Sequence, residues 1–515
     1  MSSLRRLACA AGMLAAGCGA GAADAGTGDA GPPPGLPPVV FLTVNEVPRA
    51  MNGSAPFTAL DGTLTAFTLA LPLDGFTLDV TADPGDAPVD ESTLRVACDA
   101  PLGGGAGQGG RDAGDDLADL FAAALPGAWS WRVSADLSFE PTAPGAAVIC
   151  TAGVRDADGR PAAESGVAFA AVAATAQLDP FDVPDVWVLD FTRDLFAISP
   201  AADPMTGAYS VASVDGANGV PDYLEDMAVI GFQGGETAPG AATLVAGTDV
   251  GVNAVVARRV REALLARVRG FYRQDATGGG GPDAVAATFI LDDDPAAPDP
   301  ATFTPDGGFS MIAVGGEGTA ADRLVPYFGK AELDPRNEVR NDDTPFGLGV
   351  FTTTALRAVL AIDFATVALG PFVPALGGTA LGDDPRDAVF LADGFDPADP
   401  AADPAVVERA DRFELVLGVL IKALGALTAH EIGHSLGLVA DGPPPTGLFG
   451  GEALAEFAFP LTTPAHLDVA GLNLMASGGG GAGLASGAAS LFEEPFFTPL
   501  ELAYLRGRLW VLPAQ

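Results

Sequence analysis

Histidine is nearly absent from this chain. Only three occur in 515 residues, His430, His434 and His466, and all fall within one short span. Basic residues are also scarce: 26 Lys and Arg stand against 66 Asp and Glu, for a net charge of −40. That balance excludes a nucleic-acid binder, because the surface repels phosphate instead of releasing counterions from it. It suits a soluble, monomeric exported protein, and also a salty medium that screens the self-repulsion. Beyond residue 16, no run reads as long and apolar enough for a transmembrane helix. Cysteine is limited to four residues, two of them at the extreme N-terminus, which excludes a disulfide-dense scaffold.

What is present begins with a leader. Arg5 and Arg6 precede the short apolar stretch Leu7–Ala16, which ends at Leu14-Ala15-Ala16-Gly17-Cys18. This resembles a bacterial lipoprotein signal, in which Cys18 becomes the acylated N-terminus; the alternative is an ordinary cleaved secretory signal. Either places the mature protein outside the cytoplasm, at a bacterial outer membrane or cell surface or in the medium. A membrane would then be met only through the lipid on Cys18. Residues 1–17 are read as signal and 18–38, rich in Gly, Ala, Asp and Pro, as a flexible tether.

From 39 to 178 the pattern is all-β. Short alternating runs (Val39–Val44, Phe67–Leu71, Phe76–Val80, Leu94–Cys98, Trp129–Val133, Val148–Val154, Val167–Val172) are separated by turn residues. Cys98 and Cys150 sit in two of these runs, with Trp129 and Trp131 between them; two cysteines in an exported body most simply form one disulfide, two buried free thiols being the other reading. The arrangement resembles an immunoglobulin-like sandwich with an inter-sheet disulfide packed on tryptophan. From 184 to 515 the pattern is mixed. Val186–Leu189 reads as a strand and Val252–Tyr272 as a helix, with Val256, Val260, Leu264 and Val268 on one face. Strands follow at 285–291, 311–314 and 347–352, then a long helix at about 405–436. A last helix opens at the capping box Thr498-Pro499-Leu500-Glu501. The expected fold class is therefore multidomain, an all-β sandwich followed by an α+β domain.

The chemistry lies in His430-Glu431-Ile432-Gly433-His434. Residues four apart share a helix face, so both imidazoles can reach one metal ion, and Glu431 beside them can take a proton from water. With so few histidines, a chance match is expected on the order of one in a thousand. Gly437, three residues later, can end the helix in a left-handed turn. The stretch His-Glu-Ile-Gly-His-Ser-Leu-Gly-Leu, with Asn473-Leu474-Met475-Ala476 downstream, resembles metzincin zinc peptidases, closest to the matrixin branch, with Met475 as the Met-turn.

That resemblance implies a zinc-dependent endopeptidase acting on protein or peptide substrates, with His430 and His434 as ligands and Glu431 as general base. The family's third ligand falls here on Ala440, which cannot ligate. Three rescues remain: His466 after an inserted loop, Asp441, or Glu452 or Glu456 as in thermolysin-like enzymes. The clustering of all three histidines favours His466. A second ion site is suggested by Asp215, Asn218, Asp222 and Glu225, whose spacing resembles a calcium loop; an Asx turn leading into a helix is the competing reading. The alternative function is an inactive zinc- or calcium-binding surface adhesion lipoprotein.

Overall fold

The computed structural model describes residues 35–44, 47–48, 67–72, 76–104, 109–134, 136–140, 147–172, 185–202, 208–235, 242–280, 284–318, 328–332, 334, 337, 339–360, 367–438, 440–441, 449–450, 473–475, 494–497, 499–506 and 510–513. The candidates Cys18, His466, Glu452 and Glu456 lie outside the described residues, as does the side chain of Asp441. Pro37–Gln515 forms one compact unit.

The fold is α+β with several sheets. In the first half, period-two alternation dictates strands with one buried face. Val40, Leu42 and Val44 point inward from Val39–Val44, and Leu78, Val80 and Ala82 from Thr77–Asp83. These two strands pair antiparallel and, with Ala128–Arg132, form the centre of one five-stranded sheet. A second five-stranded sheet runs in the order 510–513, 67–72, 165–172, 147–156, 89–98. Phe169 of this second sheet meets Phe76, which leads into a strand of the first, at 5.5 Å between ring centroids. Phe139 joins the same cluster at 5.5 Å from Phe169. Edge-on aromatic packing of this kind adds to the burial of large apolar area.

The disulfide Cys98–Cys150 is formed, but it does not join two sheets as the immunoglobulin resemblance implied. Cys98 and Cys150 are direct partners on neighbouring antiparallel strands of one sheet, with Cα atoms 4.0 Å apart. Residues facing each other at such a short Cα separation can be bridged without crossing the core. The last described strand, Trp510–Pro513, pairs with Phe67–Pro72, so the second half completes a sheet of the first.

The second half is built on a four-stranded parallel sheet, in the order 287–291, 185–190, 310–313, 342–343. Parallel neighbours need crossover connections. The helices Asp222–Val229 and Val252–Phe271 lie between the first two of these strands in sequence. Trp187, Leu189 and Phe289 face the main core, while Val188, Ile290 and Met311 face a smaller cluster with Phe309 and Phe303. Both faces of the three longer strands are thus covered, which is why these three read as largely apolar runs. Of the expected strand 347–352, only Gly349–Val350 is extended; from Thr352 the chain is helical to Leu360.

Helix Pro404–Ser435 is the longest described element. Asp403 caps it by accepting from the Ala405 amide, and Pro404 occupies the first turn. It ends at Gly437, whose φ of 83° permits the Leu438 amide to reach back to the Gly433 carbonyl. By length and composition it could cross a membrane, contrary to the expectation of no such run, yet 78% of its most apolar window is buried inside the protein. Its apolar residues are spent on the core.

Candidate metal centre

The final turns of this helix carry His430, Glu431 and His434, which are 3%, 5% and 7% exposed. The helical spacing places the two rings edge to face, 4.6 Å apart, with their Nε2 atoms separated by 3.1 Å. Two nitrogens held by one tetrahedral zinc, each at about 2.0–2.1 Å, lie roughly 3.3 Å apart, so the spacing fits a shared ion. Among the described residues, these three form the one group of histidine and acid side chains close enough to hold a metal.

The tautomer of His430 is set from outside the helix. Its Nδ1 lies 2.5 Å from the carbonyl oxygen of Leu474, so in the neutral ring Nδ1 carries the hydrogen and Nε2 is left to ligate. Leu474 is placed by its neighbours: its amide donates to the Phe496 carbonyl, and Asn473 Oδ1 accepts from the Met475 amide to close the turn. Met475 is fully buried. A Cβ on Gly433 would stand 2.8 Å from Met475 Sδ, so the methionine packs directly on the turn that carries the two histidines. Segment 473–475 and the helix motif, far apart in the chain, therefore meet.

Glu431 faces the opposite wall. A Cβ on Gly329 would lie 2.2 Å from Glu431 Oε1, so the short strand Gly329–Lys330 passes across the carboxyl at a distance only glycine allows. This strand pairs antiparallel with Gly349–Val350. Burial raises the proton affinity of Glu431 well above the usual carboxylate range, and the nearby Asp343 adds to it; a hydrogen bond from the Ala331 amide pulls the other way. A carboxyl of this kind is suited to accept a proton from water.

The residues of the calcium-like loop make hydrogen bonds within the chain. Asn218 Oδ1 accepts from the Val220 amide, an Asx turn, and its Nδ2 donates to Glu225 Oε1. Asp222 Oδ1 accepts from the amides of Leu195 and Phe196, and Glu225 Oε2 from that of Ile198. Asp215 ends the strand Tyr209–Asp215 and is itself exposed. These acids tie the helix Asp222–Val229 to the strand that begins at Phe196.

Several site groups carry no signal of their own in the sequence: Gly329, the Ala331 amide and Asp343; Leu474 lies in the 473–476 motif, but nothing there marks its carbonyl contact to His430. Ser435 directly follows the second histidine of the motif, yet its contacts become visible only in the fold. A scan against protein-family models finds no match to this chain, and no curated protein matches it.

Proposed function

We propose that the chain is a secreted, surface-tethered zinc endopeptidase of metzincin-like architecture, preceded by an immunoglobulin-like β-sandwich and anchored through Cys18. The observation that carries this reading is the pair of Nε2 atoms 3.1 Å apart beside the Glu431 carboxyl, with Met475 packed beneath. His430 and His434 would hold the ion, with His466 as third ligand and Asp441 as its alternative. When bound, zinc supplies Lewis-acid chemistry, polarising water and the scissile carbonyl. Glu431 takes the proton of the attacking water and returns it to the leaving amine. An extended substrate would add to the strand edge at Gly329–Lys330, where backbone groups orient it past Glu431.

Metal content and hydrolysis of a casein-type substrate test this together. Wild type should hold about one zinc per chain and cleave; Glu431→Gln should keep the zinc and lose cleavage by at least about a hundredfold. His434→Ala should lose both. Full activity in Glu431→Gln would end the peptidase reading. The deep burial of all three side chains favours a second reading, an inactive zinc-binding surface lipoprotein. Zinc retained in a wild type that cleaves nothing would select it.

A further inference from the structure

A buried acid and a serine that the proposed chemistry does not use join three segments around the site. Asp343 ends a strand at the edge of the parallel sheet, and its side chain is fully buried. Its Oδ1 accepts from the Glu332 amide at 2.8 Å, and its Oδ2 lies 2.9 Å from Ser435 Oγ. Ser435 Oγ also lies 2.9 Å from the Glu332 carbonyl oxygen. Both backbone polar groups of Glu332 are therefore held, one by each partner. Ser435 directly follows His434, and its own carbonyl accepts from Asn341 Nδ2 at 3.2 Å. The residue before Glu332 is Ala331, whose amide bonds the Glu431 carboxyl, and before that comes the Gly329–Lys330 strand.

We propose that Asp343 and Ser435 are positioning residues, a clasp that fixes segment 329–332 across Glu431 and so sets the distance between the carboxyl and the strand edge. The kinetic consequence rests on the peptidase reading; the clasp itself does not.

The hydrogens available constrain the clasp further. A serine hydroxyl has one hydrogen, yet Ser435 Oγ has two oxygen neighbours at 2.9 Å that would each need it. Both contacts are satisfied when Asp343 is un-ionised: its Oδ2 donates to Ser435 Oγ, and Ser435 donates to Glu332. Burial pushes the Asp343 carboxyl up to about 7, and the charges of Glu332 and Asp342 push the same way. An un-ionised Asp343 also spares Glu431 a second negative charge in its buried surroundings. Asparagine reproduces this pattern, with Oδ1 still accepting from Glu332 and Nδ2 donating to Ser435.

The test compares the full chain as wild type, Asp343→Ala, Asp343→Asn and Ser435→Ala. Amide hydrogen exchange of residues 329–332 is read beside zinc content and kcat/KM. In Asp343→Ala these amides should exchange at least about tenfold faster, since the bond to the Glu332 amide is lost and Ser435 loses its second partner. Its kcat/KM should fall about tenfold or more with zinc content unchanged, because the carboxyl and the edge lose their register. Asp343→Asn should match wild type in all three readouts. Wild-type exchange rates in Asp343→Ala would overturn the clasp, and an Asp343→Asn protein behaving like Asp343→Ala would overturn the hydrogen count. Should Asp343→Ala not fold, Ser435→Ala, which removes only the hydroxyl, decides the same question through its exchange rates. If wild type cleaves nothing, the peptidase reading fails on its own, and exchange still judges the clasp.

Discussion

Adding one methyl group at Gly329 probes the site from the side the sequence does not mark. The new Cβ would stand 2.2 Å from Glu431 Oε1 and 2.6 Å from both Cδ and Cγ. Ordinary contacts of this kind begin near about 3.5 Å, so carboxyl and strand must part by roughly 1 Å. Glu431 is fixed by a buried helix, and the strand by its pairing with Gly349–Val350, so neither yields freely. A displacement of about 1 Å in a catalytic group costs on the order of a hundredfold in rate. Overpacking of this size also costs about 1–3 kcal/mol of stability. Gly329→Ala should therefore lower kcat/KM by about a hundredfold and depress the melting temperature, with zinc content unaltered. Gly418→Ala is the control: it lies on the exposed face of the same helix, with nothing within 4 Å of the added carbon. It should gain about 0.5–1 kcal/mol from helix propensity and leave activity alone. Gly329→Ala with more than half the wild-type kcat/KM and full zinc would refute the close passage of this strand over Glu431.

Three more perturbations test the surrounding fold. Replacing Cys98 and Cys150 with alanine releases a 52-residue loop and should cost about 2–4 kcal/mol in denaturant unfolding, leaving zinc content unchanged. Arg409→Ala strands Asp387, which Arg409 bridges through Nε and through Nη2 at 3.0 Å in a buried setting over Phe372, and should cost about 3–5 kcal/mol. A thermal melt reads this directly. Burial pushes the Asp222 carboxyl up to about 6 despite its two backbone hydrogen bonds. A raised carboxyl holds more protons folded than unfolded, so its contribution to stability is greatest at low pH and fades as pH climbs from about 4 to about 6. Asp222→Asn keeps the acceptor for Leu195 and Phe196 and should remove up to about 3 kcal/mol of that decline, measured by urea unfolding across pH 4–7. An unchanged pH slope would show that Asp222 does not carry it.

Local pattern determined much of this protein. The i, i+4 spacing of His430 and His434 dictates a shared helix face, and Gly437 dictates where that helix stops. Alternation in Val39–Val44 and Thr77–Asp83 dictates strands with one buried side. Each of these follows from neighbours within a few residues, where backbone geometry leaves few choices. Tertiary structure alone decided which strands lie side by side, and with that whether Cys98 and Cys150 bridge two sheets or one. It also decided that Trp510–Pro513 closes a sheet begun some 440 residues earlier. The same holds for the Leu474 carbonyl on His430, the Gly329 strand on Glu431, and the Asp343–Ser435 link beside them. Such contacts pair residues tens to hundreds of positions apart, and the free energy that selects them comes from burial and hydrogen bonding across the core, which leaves no periodic trace along the chain.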